Sequence, residues 1–333
     1  MHGRAARTMI ATRLAQLLFL VCVADLALAP ARAETYPARP IRVIVSTSAG
    51  GVTDLCARIL GGFITARTGQ PVVVDNKSGA GGNLAMYMVA KAAPDGYTLG
   101  VANTGNIVIN PYLYSHMPYD PLADLAPVGS LGRVPLFLVV NGKVPAHTLQ
   151  EFVAYAKAAP GKLSYASAGT GTTPHLAADE FIRRAGLNIV HVPYRGSAPG
   201  VMDVIAGNIA MTFISTGPHM AFVRRGDLRV LAVAADRRLP YLPDVPTFAE
   251  QGFPDFAVST WFAVFAPRAT PPEIVAQLNG YVRGLVADSD SRQRLEGNFV
   301  DPTPLTTAQF ADEVKSDAAK WERIVRASGA KVD

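Results

Sequence analysis

Twice in this chain an apolar, strand-like run stops at a loop of small residues and restarts at once as an amphipathic helix. Residues 41–69 read "IRVIV", "STSAGG", "VTDLCARILGGFITARTG"; residues 163–186 read "LSYAS", "AGTGTT", "PHLAADEFIRRAG". A strand that hands over to a helix in this way needs a crossover back to a parallel neighbour, so each junction predicts a βαβ unit rather than a hairpin. The first unit continues through "PVVVD", the glycine loop "NKSGAGG", the helix "NLAMYMVAKAA" and the strand "TLGVAN". Residues 105–130, rich in proline and tyrosine, read as loop. The second unit continues through "NIVHVPY", the helix "PGVMDVIAGN", the strands "IAMTFIS" and "LRVLAVAA", and a proline-rich stretch to residue 254. Three helical segments close the chain, ending in "TTAQFADEVKSDAAKWERIVRASG".

Two extended apolar segments, about 133–140 and 257–266, bracket the second series. A chain that enters a second lobe and returns to the first must cross twice, and these segments are read as the crossings. The expected architecture is α/β and bilobal, with a cleft between the lobes. Lobe I takes residues 34–135 plus 260–333, and lobe II takes 136–259. Trp261, in a crossing segment, and Trp321, on the last helix, are expected to serve packing.

A hydrophobic content of 49% and a charged content of 17% in 333 residues suit two packed cores, not a disordered chain. The formal charge is +5, but residues 1–33 carry Arg4, Arg7, Arg13 and Arg32 against Asp25 alone. Most of the basic excess is therefore N-terminal, which argues against a nucleic-acid partner. That same stretch has a positive start, the apolar run "LAQLLFLVCVA" and the A-x-A-like "ARA" ending at Ala33. It reads as a secretory signal removed from an exported, periplasmic protein that begins at Glu34. Of the two cysteines, Cys22 would leave with the signal, so Cys56 is expected as a buried structural thiol without a disulfide partner.

The chain lacks the motifs of several chemistries. "GAGG" at 79–82 and "GTGTTP" from Gly169 each fail to complete G-x-G-x-x-G. There is no G-x-x-x-x-G-K-[ST], no G-x-S-x-G, no H-x-x-x-H and no cysteine pair, so no metal and no cofactor are expected. What remains is backbone N–H chemistry. Gly50 and Gly51 admit close approach to a ligand, Thr53 offers a hydroxyl, and Asp54 suits a first helical turn. Ser167, Thr170, Thr172 and Thr173 offer hydroxyls ahead of Pro174, which suits a helix start. Each loop alone is equally well a plain turn and cap. Their repetition, with only Lys77 and Arg195 as nearby cations, favours a carboxylate held by neutral donors. His175 and His191 read as a helix-start and a strand-end residue without a chemical role.

The segments "YPARPIRVIV", "AGGVTD", "VVVDNKSGAGGN", "VAKAAPDGYTL", "PGKLSYASAGTGTTPHLAADEF", "HVPYRGSAPGVMDVIAG", "LPDVPTFAEQGFP" and "KWERIV" together resemble the substrate-binding receptors of tripartite tricarboxylate transporters, the Bordetella uptake gene family. The resemblance covers essentially all of the chain after residue 33. It implies a type II periplasmic-binding-protein-like fold that closes on a small carboxylate-bearing ligand. The implied partners are the membrane permease subunits of a tripartite transporter, with a sensor as an alternative, and the implied state is a monomer. The rival from another class is an exported enzyme on the same bilobal scaffold, for which no nucleophile–base or metal set is recognisable. Carried over by position, the ligand contacts fall on Ala49, Gly50, Gly51 and Thr53 in lobe I, and on Ser167, Ala168, Gly169, Thr170 and Thr173 in lobe II. Asn103 and Thr104, in the loop after the third strand, and Ser215 complete the expected set. The chain departs from the family pattern where Ser46, Thr47 and Ser48 replace a frequent Pro-Phe-Pro, and where Ile214 replaces a frequent aspartate. These departures imply a cleft without that aromatic wall, and one less suited to an amine-bearing ligand.

Overall fold

Burial alternation and register show at once which strands lie between helices. In β1 (Ile41–Val45) every residue but Arg42 is buried, so both faces of the strand are covered. Helix α1 (Val52–Thr68) follows, and Cys56, Ile59, Leu60, Phe63 and Ile64 line its buried stripe at helical spacing. Gly69 ends it in the left-handed conformation at φ 73°. Strand β2 (Val72–Asn76), helix α2 (Asn83–Ala90) and β3 (Thr98–Asn103) complete the first unit. The computed structural model describes residues 36–194, 196–215 and 217–332. The signal-peptide reading of residues 1–33, with its Cys22 and the cleavage before Glu34, lies outside the described residues, as does Arg195.

Two five-stranded sheets are built to one plan. The first has the order β2-β1-β3-β10-β4, where β4 is Leu125–Pro135 and β10 is Ser259–Pro267. The second has the order β7-β6-β8-β5-β9, with β5 Phe137–Asn141, β6 Ser164–Ser167, β7 Val190–Pro193, β8 Met211–Ile214 and β9 Leu228–Val233. In each sheet three parallel strands are followed by an antiparallel fourth that arrives from the other sheet: β10 against β3, and β5 against β8. Helices α3 (Leu149–Lys157), α4 (Thr173–Ala185) and α5 (Ser197–Ala206) belong to the second series. After β10 come α6 (Pro272–Ala287), α7 (Ser289–Glu296) and α8 (Thr307–Ser328). The residues from Arg39 onward form one compact unit.

The expected loop at 105–130 needs correction. It contains a π-helical turn at Gly105–Ile109, and β4 already begins at Leu125. Pro127 hid the strand. It sits on the edge strand of the sheet, opposite Phe265 and next to a register shift, where a missing N–H does least harm.

The crossings meet at three backbone hydrogen bonds. Leu136 N–H donates to the Val258 carbonyl (3.1 Å), Val258 N–H to Ala234 (2.9 Å), and Ala234 N–H to Leu136 (2.8 Å). Leu136 separates β4 from β5, and Val258 directly precedes β10, so this knot of main chain joins the two sheets. Trp261 lies fully buried beside it and donates Nε1–H to Asp317 of α8 at 2.8 Å. Trp321 is buried on the same helix. Cys56 is likewise buried, and that burial pushes its thiol up to about 12.

Helix α8 also reaches the second series. Buried Glu180 of α4 receives Arg184 Nε (2.8 Å), Arg183 Nη2 (2.8 Å) and, from α8, Arg323 Nη1 (3.0 Å). Burial acts to raise the Glu180 pKa, but these three guanidinium groups outweigh it and hold the carboxyl low. Its contribution to stability is therefore present above the ordinary glutamate pKa of about 4.3 and is lost as pH falls through the lower folded value. Glu180→Gln is expected to cost about 1.5–3 kcal/mol, the worth of a hydrogen bond to a charged group, and to flatten the acid limb of a urea-denaturation series measured against pH.

Candidate functional site

The carboxyl ends of the parallel strands of both sheets open onto adjoining hollows, the usual place for a ligand in open α/β sheets. The outer hollow, about 590 Å3, is lined by Ser46–Ser48 after β1, Gly79, Gly81 and Gly82 after β2, Asn103, Asn106 and Asn110 after β3, and Thr170–Pro174 after β6. The inner hollow, about 180 Å3, shares Pro174 and Thr260 with it. Val134, Leu136, Phe213, Ile214 and Phe262, from strands around the crossings, give it an apolar floor.

Three helices begin at the inner hollow: α1 with Val52, α4 with Pro174, its second residue, and α5 with Ser197. None has a side chain capping its first turn; the residues before them are Gly51, Thr172 and Gly196. The Thr172 hydroxyl instead donates to the Gly169 carbonyl at 2.7 Å. Helix starts without side-chain caps present N–H groups and the positive end of the helix dipole. No charged side chain occurs among the described residues lining either hollow. The chemistry available is therefore that of neutral donors concentrated where a negative group would sit.

The loop before α1 is braced by its own carboxylate. Asp54, in the first turn, accepts from Gly50 N–H (3.0 Å), Arg58 Nε (2.9 Å) and Asn76 Nδ2 (3.0 Å). Burial works to raise its pKa, and these donors overcome it and leave the carboxyl low. The outer wall is braced by amides. Asn106 Oδ1 accepts from Ser46 Oγ (2.6 Å) and Asn103 N–H (3.1 Å), while its Nδ2 donates to the Gly81 carbonyl. Asn110 Nδ2 donates to the same carbonyl (3.1 Å) and to Asn83 Oδ1 (2.7 Å). Asn106 lies inside the π-helical turn, an irregularity often found at functional sites.

Of the expected contacts, Asn103, Thr170 and Thr173 line the outer hollow, and Ala168 and Ser215 line the inner one. Ala49, Gly50 and Gly51 are exposed on the adjoining loop and line neither. Gly50 N–H is already bound to Asp54. Thr53 is buried and lines neither hollow; Thr104 is fully buried, and its Oγ1 accepts from Trp261 N–H at 2.9 Å. Ser167 is buried with its Oγ 2.7 Å from His191 Nε2, and Gly169, at φ 129°, carries the loop past it. Ile214 is 1% exposed and packs with Phe137, Val201 and Leu239. An aspartate there would sit in the apolar floor of the inner hollow. Asn110, Thr260 and Phe262 were not anticipated, whereas Asn106 ends the ligand-side segment that the resemblance implied and Ser46 begins the departure from the family's aromatic wall. Ser46 and Asn106 lie in "STSAGG" and "ANTGN", loops that follow strands, and Asn110 lies four residues beyond the second.

The paired glycines differ in what they require. Gly50 has φ 88°, whereas a Cβ on Gly51 would meet only Ser48 O and Thr47 Oγ1, both at 3.8 Å. Gly50→Ala is expected to lower stability by about 1–2 kcal/mol, the left-handed penalty. Gly51→Ala should leave the melting temperature of the ligand-free protein unchanged, which differential scanning calorimetry of both variants checks.

Comparison with known proteins adds the following. The family model described as "Tripartite tricarboxylate transporter family receptor" matches residues 56–330. Protein BugT of Bordetella pertussis is 37% identical over 305 residues, 91% of this chain and 94% of that one. Among solved structures, R. palustris Rpa4515 with adipate is similar at 34% identity and TM-score 0.76, over 89% of this chain and 100% of that one. MatC from Rhodopseudomonas palustris with bound malate is similar at 33% identity and TM-score 0.72, over 87% and 100%.

Proposed function

The chain belongs to the tripartite tricarboxylate transporter receptor family, a family of binding receptors rather than enzymes on a bilobal α/β fold, and from that premise we propose that it is a periplasmic receptor that captures a small organic carboxylate between its two lobes. The observation that carries this reading is the meeting of three helix starts without side-chain caps at one hollow whose described lining bears no charge. One carboxylate sits at those N–H groups, and the rest of the ligand lies along the apolar floor and the amide-rich outer wall. Lobe I frames the first sheet and lobe II the second, with residues 34–135 plus 260–333 and 136–259 as their extents. The loaded receptor hands its ligand to the membrane subunits of a tripartite transporter. Carboxylates bound in the adipate and malate structures of relatives support the ligand class.

Native mass spectrometry of freshly purified protein tests this reading. A retained small molecule carrying a carboxylic acid is the expected result. A phosphorylated or cationic compound retained in its place would overturn the ligand class. Incubation with the identified acid should return it chemically unchanged.

A further inference from the structure

Beneath the loop that joins β6 to α4 lies a cluster of aromatic and ionisable groups that ligand binding itself does not use. His175, the third residue of α4, is buried, and its Nδ1 accepts Gly171 N–H at 3.1 Å. Its Nε2 faces Asp179 Oδ2, one turn further on, at 3.4 Å. The other Asp179 oxygen accepts from the Tyr165 hydroxyl of β6. An Nδ1 that accepts fixes His175 as the neutral ring with its proton on Nε2. Next to it, on β7, His191 Nε2 lies 2.7 Å from Ser167 Oγ, which in turn accepts Gly169 N–H at 3.2 Å. The Ser167 hydroxyl also lies 3.2 Å from the Gly169 carbonyl, so its proton goes to that carbonyl or to His191 according to the His191 tautomer. The two imidazoles are 4.1 Å apart between centroids, and Tyr165 stacks on His191 at 4.7 Å. One ring therefore anchors each end of the Gly169–Gly171 turn.

We propose that His175 and His191 are positioning residues for ligand binding: together they hold the Gly169–Gly171 backbone in its ligand-ready shape, and protonation of His175, whose Nδ1 accepts Gly171 N–H, releases that turn and weakens binding. This rests on the reading of the loop as the second lobe's carboxylate contact. A protonated His175 would set a ring N–H against Gly171 N–H, donor against donor. Two charged rings at this spacing also repel. The ionisable groups around the pair are Tyr165 from β6, Asp179 and Glu180 from α4, and Arg323 from α8; Glu180 already binds Arg323, Arg183 and Arg184. Burial lowers the His175 pKa against the opposing pull of Asp179. Burial, and then the neighbouring His175, bring His191 down to about 4. The unfolded chain, with histidines near 6.5, binds more protons than the fold. Folding stability is thus full above about 6.5 and declines as pH falls from there, and the turn loses its anchor as pH falls through the folded value of His175.

Nitrogen-15 NMR of the ligand-free protein from pH 7.5 to 4 tests the anchoring without any ligand. His175 should show the Nε2–H tautomer at pH 6, and the Gly171 amide shift should move with the midpoint of that ring, below 6.5. His175→Asn places an amide oxygen near the position of Nδ1. It should keep the Gly171 shift at neutral pH and remove its movement with pH, whereas His175→Leu should lose the shift itself. Titration at or above 6.5, or a Gly171 amide indifferent to the ring, would overturn the proposal. Calorimetric titration with adipate adds the binding arm. Affinity of the wild type should fall at least fivefold more between pH 7 and 5 than that of His175→Asn, which carries the ligand's own protonation as control. Equal losses would also overturn it. If adipate does not bind at all, the ligand choice fails, and the Gly171 titration alone decides whether the rings anchor the turn.

Discussion

Asn106→Leu is expected to remove several kcal/mol of stability and ligand binding together. The side chain is buried at 3% exposure and joins three stretches of the outer wall. Leucine would strand the Ser46 hydroxyl and the Asn103 N–H, and would leave the Gly81 carbonyl to Asn110 alone. A buried polar group without a partner costs about 1–3 kcal/mol, so two of them give roughly 2–6 kcal/mol. The second glycine loop would also lose its tether to the π-helical turn, which changes the shape of the hollow. Urea denaturation measures the first effect and calorimetric titration with the retained ligand the second. A loss below about 1 kcal/mol would show that water or neighbouring amides replace Asn106 without cost.

Gly171→Ala is expected to lower affinity about a hundredfold, which corresponds to ~2.7 kcal/mol. Gly171 has φ +78°, and a Cβ there would lie 2.7 Å from Leu113 Cδ1 and 3.4 Å from Val332 Cγ2. Gly171 follows β6 of the second sheet, while Leu113 and Val332 are held to each other by a backbone hydrogen bond of 3.0 Å beside the first. The added methyl would therefore push apart two surfaces that touch here, and on the proposed reading it would oppose closure of the lobes on the ligand. Backbone strain and steric blockage are separable. Leu113→Ala added to Gly171→Ala should recover about tenfold in affinity by relieving the clash, while the strain of about 1–2 kcal/mol persists in the melting temperature. Small-angle scattering should show the single variant remaining extended when ligand is added. Wild-type affinity and compaction in Gly171→Ala would remove this contact from the closed form.

Much of the fold was legible in local patterns. Strands buried on both faces, such as "IRVIV", and helices ended by glycine, such as α1 at Gly69, carry their signals within a few residues. Pro127 concealed the start of β4, because only the sheet order reveals an edge strand that tolerates it. The candidate site was legible as a set of loops and in part as side chains, since Asn103, Thr170, Thr173, Ala168 and Ser215 line the hollows. Thr53 stood out for its hydroxyl and Thr104 by its place in the family pattern, yet one is buried beside the helix start and the other supports Trp261. Asn106 and Gly81 are 25 residues apart in sequence and meet only because β1 pairs with both β2 and β3. The histidine pair is hidden for the same reason. Parallel register sets His191 opposite Tyr165, and nothing near either histidine in the sequence reports that pairing.

If helix starts and neutral donors read a carboxylate, the charge of that group is the quantity to vary. Calorimetric titration with the retained acid and with its primary amide, side by side at pH 7.5 in the presence of a chelator, does so while shape is held nearly constant. The acid is expected to bind unaffected by the chelator, and the amide at least a hundredfold more weakly. Equal affinity for acid and amide, or binding that disappears with the chelator, would contradict this reading of a carboxylate.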